Sequence, residues 1–139
     1  MKVYLAASFP RHKEMKEKAE QLRKLGCQVV SHWWDDSRSY DELKDDLDRT
    51  RKAYKDLVEL RGADHIIIVL DDIKQLQSRG GYHTELGMAY ILSLTSRKIR
   101  ITVVGERRNI FCYLPAIQHF PAWENMILHM TLDRDIGPS

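Results

Sequence analysis

A glutamate in the first turn of a predicted helix, Glu85, is the residue of this sequence best placed to do chemistry. It follows the apolar run 65–70, a polar loop and the glycine pair Gly80 and Gly81. An unbroken β-branched run suits a strand covered on both faces, and ligands bind beyond the carboxyl ends of parallel strands. A carboxylate at that place can attack the anomeric carbon of a sugar while a second acid protonates the departing group.

A simpler interpretation of Glu85 is purely electrostatic. Negative charge in the first turn of a helix is stabilised by about 0.3 to 1 kcal/mol through the helix dipole, so a glutamate there needs no function. Two features favour a functional role. Glu85 follows a buried strand into the expected crevice, and the glycines 80, 81 and 87 allow a ligand to approach the backbone closely.

Three aspartates are candidates for the second acid, namely Asp56, Asp71 and Asp72. Asp56 lies in a charged segment, where a helix-surface role would also explain it. Asp71 and Asp72 directly follow a predicted strand, where turn aspartates are common. The spacing alone does not select among the three.

Aromatic residues supply further candidates for binding. Trp33 and Trp34 follow the second predicted strand and can clamp a flat heterocycle, or else pack in the core. Tyr4 lies on the first predicted strand, where it can hydrogen-bond a nucleophile at the strand end or serve as a core residue.

A phosphate site is an open alternative. Ser78, Arg79, Arg107 and Arg108 could hold a phosphate beside helix-terminal amides, or they could be ordinary solvated loop residues. His83 has no partner at triad or metal-ligand spacing, so surface solvation explains it better.

The hydrophobic pattern predicts the elements that position these residues. Strands are expected at 3–7, 28–31, 65–70, 98–104 and, more weakly, 117–120, with helices at about 10–25, 41–61, 82–94 and 123–132. Right-handed crossovers would wind this order into an α/β fold, a doubly wound parallel five-stranded sheet with helices on both faces.

Two details of that pattern concern burial. In the 41–61 helix we expect one buried stripe, formed by Leu43, Leu47, Tyr54 and Leu57. The alternation of apolar residues in 98–104 predicts a strand with one less covered face.

Size and composition favour one domain over 1–139, because 139 residues with 43% hydrophobic content can bury a sufficient core. A net charge of +2 from interspersed charges argues against nucleic-acid binding.

The isolated Cys27 and Cys112 argue against a disulfide scaffold or a zinc site. No apolar run has the length of a signal peptide or a membrane span, so we expect a cytoplasmic protein without a membrane partner. Walker and GxGxxG glycine patterns are absent from the sequence.

Four segments taken together resemble the nucleoside 2-deoxyribosyltransferase family. They cover most of the chain in order, and they are Val3 to Phe9, Asp56-Leu57 ahead of 63–66, Gly81 to Ala89 around Glu85, and Arg108 to Phe111. The resemblance implies a flavodoxin-like doubly wound fold and transfer of a 2-deoxyribosyl group between bases through a covalent glutamyl-sugar intermediate. It implies no metal or other cofactor, and a homodimer or higher homo-oligomer with sites shared between subunits.

The same resemblance implies roles for individual residues. Glu85 resembles the nucleophile, Tyr4 the tyrosine that orients it, and Asp56 an aspartate that assists at the sugar and base. Asn109 resembles the asparagine that reaches into a neighbouring subunit's site near the 5′ end of the sugar. Further substrate-binding residues are expected to be Ser78, Arg79, Gly81, Trp34 and Asp72.

One departure from the family pattern leaves the substrate open. The transferases carry an aspartate six positions before the nucleophile, where this chain has Arg79, with Ser78 beside it. The related 2′-deoxynucleoside 5′-monophosphate N-glycosidases carry a serine there for the phosphate, whereas Asn109 favours the transferases. The expected partners are therefore a deoxynucleoside or deoxynucleotide and a free base. The alternatives to transfer are hydrolysis of monophosphates and a nucleotide-binding module without catalysis.

Overall fold

The computed structural model describes residues 1–36, 38–72 and 80–136, with side chains up to residue 133. The chain forms five strands and four α-helices in the order β1 Lys2–Ala6, α1 His12–Lys24, β2 Gln28–Val29, α2 Asp46–Arg61, β3 His65–Val69, α3 Gly81–Thr95, β4 Arg100–Val104, β5 Ile117–Phe120 and α4 Trp123–Ile136. Short 3-10 turns at Phe9–Arg11, Trp33–Asp35, Tyr40–Glu42 and Ile110–Tyr113 lie between them. The predicted elements are confirmed, with ends that differ by a few residues.

The five strands form one parallel sheet in the order β2-β1-β3-β4-β5. This is the flavodoxin-like order, and it confirms the predicted fold class. From β1 the chain crosses outward to β2 and then back past β1 to β3. The switch point is therefore between β1 and β3, whose carboxyl ends are at Ala6 and Val69. A ligand crevice is expected at that place.

The helices cover the sheet in pairs. The indole nitrogen of Trp123 on α4 donates to Gln21 Oε1 on α1 at 2.5 Å, which joins these two helices, while α2 packs against α3. Right-handed crossovers place the two pairs on opposite faces of the sheet. In the described ranges, no helix is both long and apolar enough to cross a membrane.

The predicted burial of β3 is confirmed, since all five of its residues are buried. The prediction for β4 is wrong, because Ile101 to Val104 are all buried. The polar residue in that run, Thr102, is fully buried, and its hydroxyl forms a hydrogen bond with His65 Nε2 at 2.7 Å. A hydrogen bond thus allows a polar side chain in a doubly covered strand.

The predicted stripe of α2 is also wrong. Leu47 and Tyr54 are 56% and 65% exposed, Leu57 is only partly buried, and Leu43 is buried but precedes the helix. The inward side of α2 faces a cavity from Arg49 to Asp56 and reaches the core at Leu60, so polar residues occupy most of it. The spacing of the apolar residues therefore predicted the wrong face of α2 as the buried one.

Candidate active site

A cavity of about 610 Å³ opens at the carboxyl ends of β1 and β3. Four parts of the chain contribute to its lining: the end of β1, the segment after β2, and the helices α2 and α3. The described lining residues are Ala7, Ser8, Phe9, Pro10, Trp33, Arg38, Ser39, Tyr40, Leu43, Arg49, Lys52, Ala53, Asp56, Gly81, Tyr82 and Glu85. Two of the three predicted catalytic residues, Glu85 and Asp56, thus face one cavity at the switch point.

The backbone before Glu85 sets its position. Gly80 has φ +93°, a left-handed conformation that L side chains rarely adopt, and α3 begins at Gly81. Glu85 consequently projects from the second turn of α3, not the first turn as the sequence predicted. Burial raises the pKa of the Glu85 carboxyl to about 7, the negative charge of Asp56 raises it further, and the Tyr4 hydroxyl opposes the shift.

Tyr4 is a neighbour of the nucleophile candidate, Glu85. Its side chain is fully buried, and burial followed by the charge of Glu85 raises its pKa well above the usual value. The Tyr4 hydroxyl lies close enough to Glu85 for each group to shift the pKa of the other. Yet Tyr4 Oη and Glu85 Oε2 are both buried without a hydrogen bond to any residue in the described ranges. Tyr4 is not itself in the cavity lining, but this pair has unused hydrogen-bonding capacity next to it.

Asp56 is the second carboxyl of the cavity. Burial raises its pKa to about 6, and Glu59 adds to the shift while Lys52 and Lys55 reduce it. A carboxyl with this pKa can hold a proton near neutral pH and release it to a leaving group. Asp56 is thus equipped for general acid chemistry.

The other two candidate acids lie elsewhere. Asp71 is buried, accepts a hydrogen bond from Ser8 Oγ at 2.7 Å and lies 3.7 Å from Arg11 Nη1. Arg11 also donates to the carbonyl of Leu70 at 2.8 Å. These contacts fasten the end of β1 to the end of β3. Asp72 is exposed and is not among the lining residues.

The two tryptophans divide their roles. Trp33 lines the cavity, while its indole nitrogen donates to the carbonyl of Leu5 at 2.7 Å. Trp34 packs edge-on against Trp33 with ring centroids 5.5 Å apart and is only 5% exposed. Trp34, which the sequence analysis assigned to the substrate, belongs to the core and not to the described lining. Trp33, which is held by its hydrogen bond to Leu5, lines the cavity instead.

The remaining predicted site residues have different positions. Gly81 lines the cavity, whereas Asn109 is not in the described lining and accepts a hydrogen bond from the backbone of Phe111 at 2.9 Å. Ser78 and Arg79 lie outside the described residues. The expectation that Asn109 reaches a neighbouring subunit stays a prediction.

Sequence reasoning missed the cationic side of the cavity. Arg49 and Lys52 line it from α2, with the Arg49 guanidinium 4.6 Å from the ring centroid of Tyr40 and Lys52 Nζ 5.9 Å from that of Phe9. The signal was available in retrospect, because positions 49, 52, 53 and 56 share one helix face.

Within the described ranges, no group of three or more His, Cys, Asp or Glu side chains could hold a metal ion.

Comparison with known proteins relates this fold to a solved enzyme structure. Neither a family model nor a curated protein matches this chain. A solved structure of the 2-deoxyribosyltransferase from Bacillus psychrosaccharolyticus superposes with a TM-score of 0.69 at 24% identity, over 91% of this chain and 90% of that one. The chain shares the fold of that enzyme. At this identity the match concerns the fold, and the chemistry must be argued from the site.

Proposed function

We propose that this protein is a nucleoside 2-deoxyribosyltransferase that acts on 2′-deoxynucleosides. The observation that carries the proposal is the pair of carboxyls, Glu85 and Asp56, that face one cavity at the switch point with raised pKa values. The likeness in fold to a 2-deoxyribosyltransferase supports it.

In the first half-reaction a carboxylate oxygen of Glu85 attacks C1′ of the sugar. The bond between C1′ and the base nitrogen breaks, its electron pair passes to the base, and Asp56 supplies a proton to the base. The product is a glutamyl-deoxyribosyl ester and a neutral free base.

In the second half-reaction a nitrogen of an acceptor base attacks C1′. The ester bond breaks, Glu85 regains its negative charge, and Asp56 takes the proton that the acceptor loses. The configuration at C1′ is retained, because two displacements occur on the same carbon. Water as the acceptor would give free deoxyribose instead.

Tyr4 is proposed to orient Glu85 by donating a hydrogen bond to its carboxylate when the substrate is bound. Catalytic hydrogen bonds are often incomplete in a ligand-free site and tighten with the substrate. The unpaired atoms of Tyr4 and Glu85 are consistent with that role.

The assembly proposed from the resemblance is a homo-oligomer in which Asn109 completes a neighbouring site. Exposed apolar side chains directly follow it, with Ile110, Phe111 and Tyr113 being 79%, 57% and 60% exposed. Exposed apolar clusters of this kind often mark contact surfaces.

The deciding experiment incubates the protein with deoxynucleosides and their 5′-monophosphates, with and without a second base, and separates the products by chromatography. We expect base exchange with the wild type and none with Glu85→Ala, while Glu17→Ala, at an exposed position of α1, keeps full activity. Base exchange by the Glu85 variant would disprove the assignment. Hydrolysis of monophosphates alone would identify an N-glycosidase, and binding without turnover would identify a non-catalytic module.

A further inference from the structure

Lys52 is a cation in the cavity that the proposed chemistry has not used. It lies one helical turn before Asp56 on the same face of α2, and its side chain is partly buried. Its Nζ forms no ion pair with any residue that the structure describes; it lies 5.9 Å from the ring centroid of Phe9, and its charge lowers the pKa of both Asp36 and Asp56. A lysine in such a place has all its hydrogen-bond donors available to a ligand.

The arrangement of charges indicates which part of a substrate Lys52 would meet. Asp56 is near Glu85, since its charge raises the pKa of Glu85, and Lys52 is near Asp56, since its charge lowers the pKa of Asp56. Lys52 and Asp56 also line the same cavity one helical turn apart on α2. If Glu85 is at C1′ and Asp56 protonates the base, then the base lies beside Asp56, and Lys52 is a neighbour of that acid.

The surroundings of Lys52 suit a flat ring with oxygen acceptors. Phe9 and Tyr40 provide aromatic surfaces, and the guanidinium of Arg49 lies 4.6 Å from the Tyr40 ring. Arg49 Nε is buried without a hydrogen-bond partner among the described residues. The rest of its guanidinium is engaged, because Nη2 donates to the carbonyls of Tyr40 and Leu43 and Nη1 pairs with Asp46. Lys52 therefore supplies the available ammonium donors of this region. A carbonyl oxygen accepts from such donors, whereas an exocyclic amino group at the same place would present hydrogens to them.

We propose that Lys52 is a specificity-determining residue that selects bases carrying a carbonyl group over bases carrying an amino group at the same ring position. The inference rests on the proposed function. Lys52 donates a hydrogen bond to the carbonyl oxygen and, as the bond to C1′ breaks, stabilises the electron pair that passes to the base. The interaction is stronger in the transition state than in the ground state, because negative charge on the base grows during the reaction.

The test uses two matched substrate pairs. 2′-Deoxyinosine and 2′-deoxyadenosine differ at one purine position, and 2′-deoxyuridine and 2′-deoxycytidine differ at one pyrimidine position. We expect kcat/KM of the wild type to favour the carbonyl member by about tenfold or more in at least one pair, as a hydrogen bond to a charged donor is worth that factor. Lys52→Met should remove this preference by slowing the carbonyl substrate, and Lys52→Arg should keep it.

Lys55→Met is the matched control, because Lys55 is exposed on the same helix and also lowers the pKa of Asp56. It should keep the ratio between paired substrates. The proposal is overturned if the wild type shows no preference, if Lys52→Met retains it, or if Lys52→Met affects only 5′-phosphorylated substrates.

A binding measurement separates failure of this inference from failure of the proposed function. Titration calorimetry with free hypoxanthine and free adenine needs no turnover. Tighter binding of hypoxanthine that is lost in Lys52→Met supports the inference even if no nucleoside is cleaved. Equal binding of the two bases together with active turnover would leave the transferase standing and remove the role of Lys52.

Discussion

Asp56 on α2 and Glu85 on α3 face the same cavity, and the negative charge of Asp56 raises the pKa of Glu85. The two carboxyls are therefore one electrostatic unit. With values of about 6 for Asp56 and about 7 for Glu85, the pair holds one proton between those two pH values. The proposed reaction needs the one-proton state in which Glu85 is charged and Asp56 is protonated, and because Glu85 has the higher pKa this is the less populated of the two placements of that proton.

The first prediction is a bell-shaped dependence of kcat/KM on pH, with limbs near pH 6 and pH 7 that belong to the pair. Below the lower limb both carboxyls are protonated, and above the upper limb neither is. Asp56→Asn should abolish the descending limb and move the ascending limb to lower pH, since the charge that raises the pKa of Glu85 is gone. A descending limb that persists in this variant would contradict the assignment of the acid.

The second prediction concerns stability. The pKa of Glu85 is about 7 in the folded protein against 4.5 as its usual value, so the folded state binds more protons between those pH values and loses stability as the pH rises. Glu85→Gln should therefore stabilise the protein at pH 8 by about 2 kcal/mol after allowance for partial exposure, with little effect at pH 4. Urea unfolding at both pH values measures this, with the exposed Glu17→Gln as control. An equal change in the free energy of unfolding at pH 8 and pH 4 would contradict a buried negative charge on Glu85 at pH 8.

The third prediction concerns the hydroxyl of Tyr4. Tyr4→Phe removes a group that lowers the pKa of Glu85, so the ascending limb of the pH profile should move to higher pH. We expect kcat to fall by about tenfold or more because the nucleophile loses its orienting donor. Thermal unfolding should show little loss of stability, since the buried hydroxyl makes no hydrogen bond within the described ranges. Unchanged kcat would remove the positioning role.

The fourth prediction tests the shared site. Glu85→Ala and Asn109→Ala subunits should each be inactive alone. If Asn109 acts in the partner's cavity, an equal mixture that exchanges subunits as a dimer should regain about a quarter of wild-type activity, because half of the dimers are mixed and each has one intact site. Activity that does not return, in a mixture shown by native mass spectrometry to contain mixed dimers, would show that Asn109 does not act in the partner's cavity.

The fold was predictable because the apolar run in β3 and the alternation of elements depend on local sequence. The position of Glu85 at the switch point followed from the same features. The cavity wall was not predictable in this way. The sequence does not distinguish Trp33 from Trp34, because they are adjacent residues of the same type. Which of them faces the cavity is decided by the hydrogen bond of Trp33 to β1 and by the packing between the two rings. On α2, inward positions hold Asp56 and Lys52 because they meet a ligand space, so the hydrophobic pattern could not identify that face.

The contacts among Ser8, Asp71 and Arg11 have a consequence for how the crevice responds to its surroundings. They are buried or half-buried, so dissolved ions screen them weakly. Arg38, in the segment after β2, also lines the crevice, and its partly exposed guanidinium pairs with Asp36 and Asp48. Raising ionic strength weakens surface pairs and spares buried ones. Added salt should thus weaken the Arg38 pairs while the contacts between the ends of β1 and β3 persist. Ligand entry, rather than the bond-breaking step, should then be the salt-sensitive part of the reaction.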